Sequence, residues 1–168
     1  MTFTVRSNSF NDGDYLAKTH ILSAAFGFGC EGDNQSPHLA WSGAPTGTKS
    51  FAVTCFDPDA PTGSGFWHWA VHDIPASVTS LPRGAGDPDA SLLPEGAVTL
   101  RNELRLPRFL GAAPPPGHGE HRYVVTVSAL DIDSVDVDPG STPAALGFTM
   151  LEHVIARAQV TFTSITPE

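Results

Sequence analysis

Two short segments of the sequence hold residue types that could bind or transform a small polar ligand. Asp57 and Asp59 bracket Pro58 at the end of an apolar run, and two aspartates are more than a simple turn needs. His121 and Tyr123 follow a loop rich in proline and glycine, and their spacing places them on one face of a strand. Carboxylates, imidazoles and loop N–H groups at strand ends are typical of small-ligand sites. The sequence predicts such a site where the two segments meet.

His68 is a third candidate, between Trp67 and Trp69. Strand alternation predicts that it faces away from both tryptophans, although a purely structural, hydrogen-bonded role fits the pattern equally well. His72 follows four residues later, which on a strand is about 13 Å away and too far for both rings to share one metal ion. No metal site is predicted.

Other catalytic motifs fail on spacing. GAPTGTKS at 43–50 has one residue too few between its glycines and precedes a strand, which argues against a P-loop. No G-x-S-x-G or G-x-G-x-x-G motif occurs, and the acidic run at 131–138 lacks the glycine and the final carboxylate of a calcium-binding EF-hand. We therefore predict no cofactor and no catalytic residue.

Composition narrows the class of protein. The 168 residues are 40% hydrophobic and 16% charged, which predicts one ordered domain over residues 1–168. The net charge of −9 disfavours nucleic-acid binding and a polybasic membrane anchor. The chain shows no signal peptide and no long apolar run, so we expect a cytoplasmic protein without stable membrane insertion.

Runs of β-branched and aromatic residues predict a β-sandwich-like body. They lie at 3–5, 50–56, 66–74, 122–130 and 159–165. The proline- and glycine-rich stretches at 57–65 and 111–119 must be loops.

One helix is predicted near the C-terminus, with Thr142 as its N-cap and Pro143 at its first position. Apolar residues at helical spacing extend it through Leu151, Val154, Ile155 and Ala158. A weaker helical piece is predicted at 20–26, stopped by the glycines that follow.

Four segments resemble one known family. DPDAPTGSGFWHW at 57–69 and APPPGHGEHRY at 113–123 are similar to the two signature blocks of the phosphatidylethanolamine-binding protein family, and the bacterial Raf-kinase-inhibitor-like branch fits best. GDNQSPHLAWSGAP at 32–45 and LGFTMLEHVIARA at 146–158 are also similar, so the resemblance covers nearly the whole chain. It implies a mainly β fold, in which a large antiparallel β-sheet packs on a smaller sheet with short flanking helices.

The resemblance also implies a pocket for phosphate-type anions and phospholipid head groups. The implied ligand-binding residues are Asp57, Asp59, Pro61 and His68 in the first block, and Gly111, Ala113, Pro114, His121 and Tyr123 in the second. In this hypothesis His68 and His121 donate hydrogen bonds to the anion, and Asp57 orients a histidine tautomer. A cis peptide bond before Pro61 is implied as well.

The function implied is that of a non-enzymatic binding and regulatory protein. Its partners would be a small phosphorylated ligand or a phosphoethanolamine head group and, by resemblance alone, a kinase; a homodimer is a further hypothesis. The alternative is a hydrolase acting on a phosphoester or ester, with Asp57, His68 and His121 as its acid–base set. A structural protein with a vestigial pocket is the third possibility.

Overall fold

The computed structural model describes residues 2–168, which form two antiparallel sheets. The small-sheet strands are β1 (Thr4–Arg6), β2 (Leu39–Ser42) and β5 (Ser80–Leu81). The large-sheet strands are β3 (Ser50–Asp57), β4 (Phe66–Pro75), β6 (Val98–Thr99), β7 (His121–Leu130) and β8 (Val154–Ser164). The small sheet has the order β1-β2-β5, and the large one the order β6-β4-β3-β7-β8. The prediction of a large sheet packed on a smaller one is confirmed.

The main core lies between the two sheets and is rich in aromatic side chains. Trp41 of β2 meets Phe51 of β3 edge to face, with ring centroids 5.3 Å apart, and Phe3 stacks on Phe51 from beside β1. Phe51 is fully buried. Since β3 is the central strand of the large sheet, Phe51 joins the small sheet to the middle of the large one.

A second apolar cluster covers the opposite face of the large sheet. Leu146 of helix α1 (Pro143–Thr149) packs there against Ala52 and Ala70, together with Leu130. The Thr142 hydroxyl accepts a hydrogen bond from the Ala145 N–H at 3.2 Å, and Pro143 occupies the first turn, so the predicted helix start is confirmed.

The predicted extension of this helix is wrong. A short 3-10 turn at Leu151–His153 follows α1, and Val154, Ile155 and Ala158 lie in β8. Strand β8 pairs with β7 from Leu130↔Val154 to His121↔Ser164. That ladder overrides the helical spacing, because it satisfies the backbone of the whole segment and suits its β-branched residues.

Shorter features complete the fold. The weak helical prediction at 20–26 corresponds to two 3-10 turns, Lys18–His20 and Ala24–Phe26, and the second ends at Gly27 with a positive φ of 74°. All peptide bonds between residues 2 and 168 are trans, so the expected cis bond before Pro61 is wrong. None of the helices in this span is long and apolar enough to cross a membrane.

Replacing Phe51 by alanine should lower the free energy of unfolding by about 3–5 kcal/mol, because a cavity would replace the ring that joins the sheets. The same substitution at Phe148, which is 81% exposed on α1, should change it by less than about 0.5 kcal/mol. Urea unfolding of both variants measures the difference. Equal losses of unfolding free energy in the two variants would show that the Phe51 contact between the sheets does not stabilise the core.

Candidate functional site

A cavity of about 210 Å³ opens at the end of the large sheet where β3 stops and where β4 and β7 begin. Its polar wall is made by Asp57, His68 and His121. Its other walls are largely apolar and include Leu22, Phe28, Phe66, Leu104 and Leu110. Among the described residues that line the space, none is a lysine or an arginine, and Asp57 is the only carboxylate.

The Asp57 carboxylate and the His121 ring form a buried hydrogen-bonded pair. His121 Nδ1 lies 2.7 Å from Asp57 Oδ2, and the two side chains are 1% and 4% exposed. Asp57 Oδ1 accepts the backbone N–H of Asp59 at 2.8 Å. A carboxylate only accepts hydrogen bonds, so Nδ1 of His121 carries the proton and Nε2 is the nitrogen left for other partners.

His68 reaches the cavity because β4 contains a bulge at this position. The pairing of β3 with β4 steps from Cys55↔Trp69 to Phe56↔Trp67, which leaves His68 as the extra residue. Trp69 therefore packs in the main core, whereas Trp67 lies against Phe56, 4.4 Å between ring centroids. The prediction that both tryptophans share one face is wrong, because a one-residue insertion resets strand alternation.

His68 is held as a neutral ring. Its Nδ1–H donates to the Leu110 carbonyl at 2.9 Å, and burial lowers its pKa to about 4. Nε2 therefore carries a lone pair and accepts hydrogen bonds. At neutral pH the free nitrogen of His68 suits a donor group on a ligand, in contrast to the expectation that His68 donates to an anion.

Three more of the predicted residues line the cavity: Pro61, Gly111 and Ala113. Gly111 is needed for close backbone approach, since a Cβ there would lie 2.4 Å from the Leu22 backbone nitrogen. Its N–H donates to Asn34 Oδ1 at 2.6 Å. Asn34 is buried with a positive φ of 55°, and nothing in the sequence pattern indicated that it supports this wall.

Asp59, Pro114 and Tyr123 do not line the cavity. Asp59 accepts hydrogen bonds from Nε and a terminal nitrogen of Arg122 at 2.9 and 2.8 Å, and these lower its pKa to about 2. It thereby fastens the loop after β3 to β7. Tyr123 is buried behind His68, ring centroids 5.0 Å apart, and burial raises the pKa of its hydroxyl. Pro114 is buried beside the wall that Ala113 forms.

Sequence reasoning missed several residues at the site. His118 is exposed in the proline- and glycine-rich loop before β7, yet its Nδ1 lies 2.7 Å from His121 Nε2. Leu22, Phe28 and Leu104 come from distant segments without a motif. The spacing of His118 three residues before His121 was the one signal that could have linked these rings.

The site is equipped for hydrogen bonding and proton transfer by imidazole and carboxylate groups. Within residues 2–168 no three His, Cys, Asp or Glu side chains are grouped to hold a metal ion. Fold and cavity together define a β-sandwich protein with a pocket of small-ligand size at one end of its large sheet.

Comparison with known proteins identifies the family. A profile of the phosphatidylethanolamine-binding protein family matches residues 6–165. The UPF0098 protein YbcL of Escherichia coli is 50% identical over 159 residues, which cover 95% of this chain and 85% of YbcL. The E. coli UPF0098 protein YbhB is 48% identical over 155 residues, 92% of this chain and 95% of YbhB. The chain belongs to the phosphatidylethanolamine-binding protein family.

The known structures agree with this assignment. The crystal structure of E. coli YbcL, described as a new member of the mammalian PEBP family, matches with a TM-score of 0.94 at 48% identity and covers 99% of both chains. Family membership supports a binding protein.

Replacing His68 by asparagine should make the protein less sensitive to acid. The folded-state pKa of about 4 is below the ordinary 6.5, so the unfolded chain binds a proton first as the pH falls. The stabilisation from keeping His68 neutral is complete above pH 6.5 and is lost as the pH falls towards 4. Asparagine keeps a donor for the Leu110 carbonyl but does not titrate.

Urea unfolding at pH 7.5 and pH 5 tests this prediction. The loss of unfolding free energy between the two pH values should be smaller by about 2 kcal/mol in His68→Asn than in the wild type. The same loss in both proteins would contradict a neutral, buried His68.

Proposed function

We propose that this protein is a non-enzymatic binding protein whose cavity holds a small phosphate-type group. The observation that carries the proposal is the polar wall of Asp57, His68 and His121 in a cavity whose other walls are largely apolar. Nε2 of His68 can accept the hydroxyl hydrogen of a phosphoryl group, and His121 can donate to a phosphoryl oxygen once its Nε2 carries a proton. The ligand would be a phosphorylated small molecule or a phosphoethanolamine head group.

The charges around the cavity favour one protonation state of this ligand. With a buried carboxylate and no lysine or arginine in the lining, a dianion would meet an uncompensated negative charge. A monoanionic phosphate keeps one P–O–H group, which can donate to Nε2 of His68. We infer that the phosphoryl group binds as the monoanion.

The apolar walls suggest the rest of the ligand. Leu22, Phe28 and Leu104 line the cavity, and Phe28 is 55% exposed. Burying apolar ligand surface against them would add roughly 25 cal/mol for each Å² removed from water. A phosphate ester with an apolar substituent should therefore bind more tightly than inorganic phosphate.

Titration of the wild type with O-phosphorylethanolamine and with phenyl phosphate at pH 6 and pH 8 should give saturable binding that is weaker at pH 8. The second ionisation of a phosphate monoester lies near pH 6, so the monoanion becomes scarce at the higher pH. Calorimetry and NMR chemical shifts measure the affinity. Phenyl phosphate should bind more tightly.

Three variants make this test specific. His121→Ala should abolish binding. Ala60→Phe fills the cavity from a half-exposed loop position and should also abolish binding, but it leaves the Asp57–His121 pair unchanged. His153→Ala changes an exposed histidine paired with Asp131 at the far end of β7 and should bind like the wild type. Absence of wild-type binding at millimolar ligand, or undiminished binding by Ala60→Phe, would overturn the proposal.

A hydrolase acting on a phosphoester or ester is the second candidate, and one contact favours it. Asp57 orients the His121 imidazole through a hydrogen bond, as the aspartate of a catalytic triad orients its histidine. However, His121 Nε2 faces His118 and not the hydroxyl of a nucleophile. Turnover of p-nitrophenyl phosphate or p-nitrophenyl acetate that is lost in His121→Ala would favour the hydrolase over the binding protein.

A further inference from the structure

Both ring nitrogens of His121 already have partners within the protein. Nδ1 is hydrogen-bonded to Asp57 at 2.7 Å, and Nε2 lies 2.7 Å from Nδ1 of His118. His118 is exposed on the loop before β7 and is not among the residues that line the cavity. A ligand that contacts Nε2 of His121 must therefore take the place of His118.

The tautomers follow from these contacts. Nδ1 of His121 carries a proton because its partner is a carboxylate, so in the neutral ring Nε2 accepts. His118 must then donate from Nδ1. In this state His121 has no hydrogen to offer an anion.

We propose that His118 is an internal competitor for the anion-binding nitrogen of His121, and that an anion displaces it while His121 takes up one proton. This inference rests on the proposed function and concerns the regulation of the same pocket. The free pair is neutral, whereas the bound state has an imidazolium at His121 between Asp57 and the anion. The pocket therefore exchanges an internal hydrogen bond for an ionic one.

The proton balance of this exchange is simple. A proton from solvent is added to Nε2 of the exposed His118 ring, and the Nδ1 proton of His118 passes to Nε2 of His121 across the 2.7 Å contact. No other bond forms or breaks. His118 is left neutral with its proton on Nε2, and its Nδ1 no longer has a hydrogen to donate. It can then turn to water, while His121 donates from both nitrogens.

The charged and titratable groups around the pair favour this extra proton. Asp57 of β3 contacts His121 directly, and Asp59 lies close enough to interact with its charge but is neutralised by Arg122. Glu120 precedes His121 and is hydrogen-bonded to the Tyr15 hydroxyl, and the Glu168 side chain lies beside Gly117 in the loop that carries His118. His68 of β4, which stays neutral, adds no positive charge.

Sulfate is the probe that isolates the proton taken up by the protein, because it carries no proton of its own between pH 5 and pH 8. As a dianion it should bind only when His121 takes up the compensating proton. Calorimetry in buffers of different ionisation enthalpy should show wild-type uptake approaching one proton per sulfate at pH 8. His118→Ala should bind sulfate roughly threefold to tenfold more tightly than the wild type, the range expected when a competing hydrogen bond is removed. His153→Ala, the matched exposed histidine, should leave the affinity unchanged.

Ring ¹⁵N NMR gives a second readout that does not depend on affinity. In the free wild type at pH 8, His118 should carry its proton on Nδ1, and saturation with sulfate should move that proton to Nε2. His118 that keeps an Nδ1 proton when sulfate is bound would overturn the competition.

The outcomes separate this inference from the proposed function. Binding of sulfate and phenyl phosphate with equal or lower affinity in His118→Ala would overturn the competitor and leave the pocket intact. Absence of binding by the wild type and by His118→Ala alike would overturn both. Saturable binding by both proteins, with His118→Ala the tighter, would support the competitor and the pocket together.

Discussion

The hydrogen bond between Asp57 and His121 is the constraint on which this end of the molecule depends. The carboxylate is almost fully buried, and a buried charge without a partner costs several kcal/mol. His121 on β7 and the Asp59 N–H provide its partners. Because β3 and β7 are neighbours in the sheet, paired from Ser50↔Leu130 to Phe56↔Val124, their register places the two side chains together.

The other parts of the site are arranged around this pair. The bulge in β4 brings His68 towards Tyr123, and the Leu110 carbonyl fixes the tautomer of His68. The Asp59–Arg122 ion pair holds the loop after β3 onto β7. The Leu110–His68 and Asp59–Arg122 contacts each join a loop to a strand of the large sheet, so a rigid sheet positions a site made mostly by loops.

The chemistry of the cavity differs from that of a simple anion pocket. It contains a carboxylate and two imidazoles that have no free donor in their neutral tautomers, and it lacks permanent cations in its lining. The phosphoryl ligand that we propose would therefore bind together with a proton, carried either by the ligand or by His121. The contact between His118 and His121 would link that proton to solvent.

The sequence by itself determined the β-rich class, the two loops that flank the site, the cap of helix α1 and the segments that meet at the pocket. These features depend on side-chain type and on neighbours a few residues away: β-branched runs, prolines, Thr142 before Pro143. Asp57 and His121 could be predicted to share a site because both lie at strand ends beside such loops. Their direct contact, across 64 residues, depends on strand register.

Only the tertiary structure decided the orientation of His68, the strand conformation after Leu151, the apolar walls and the partner of His121 Nε2. A bulge depends on the pairing of two strands, and the β7–β8 ladder outweighs local helical spacing at Val154 and Ile155. Leu22 and Leu104 meet at the cavity although no local pattern connects them. These contacts join residues far apart in the chain, whereas a sequence pattern reports mainly what adjacent residues prefer.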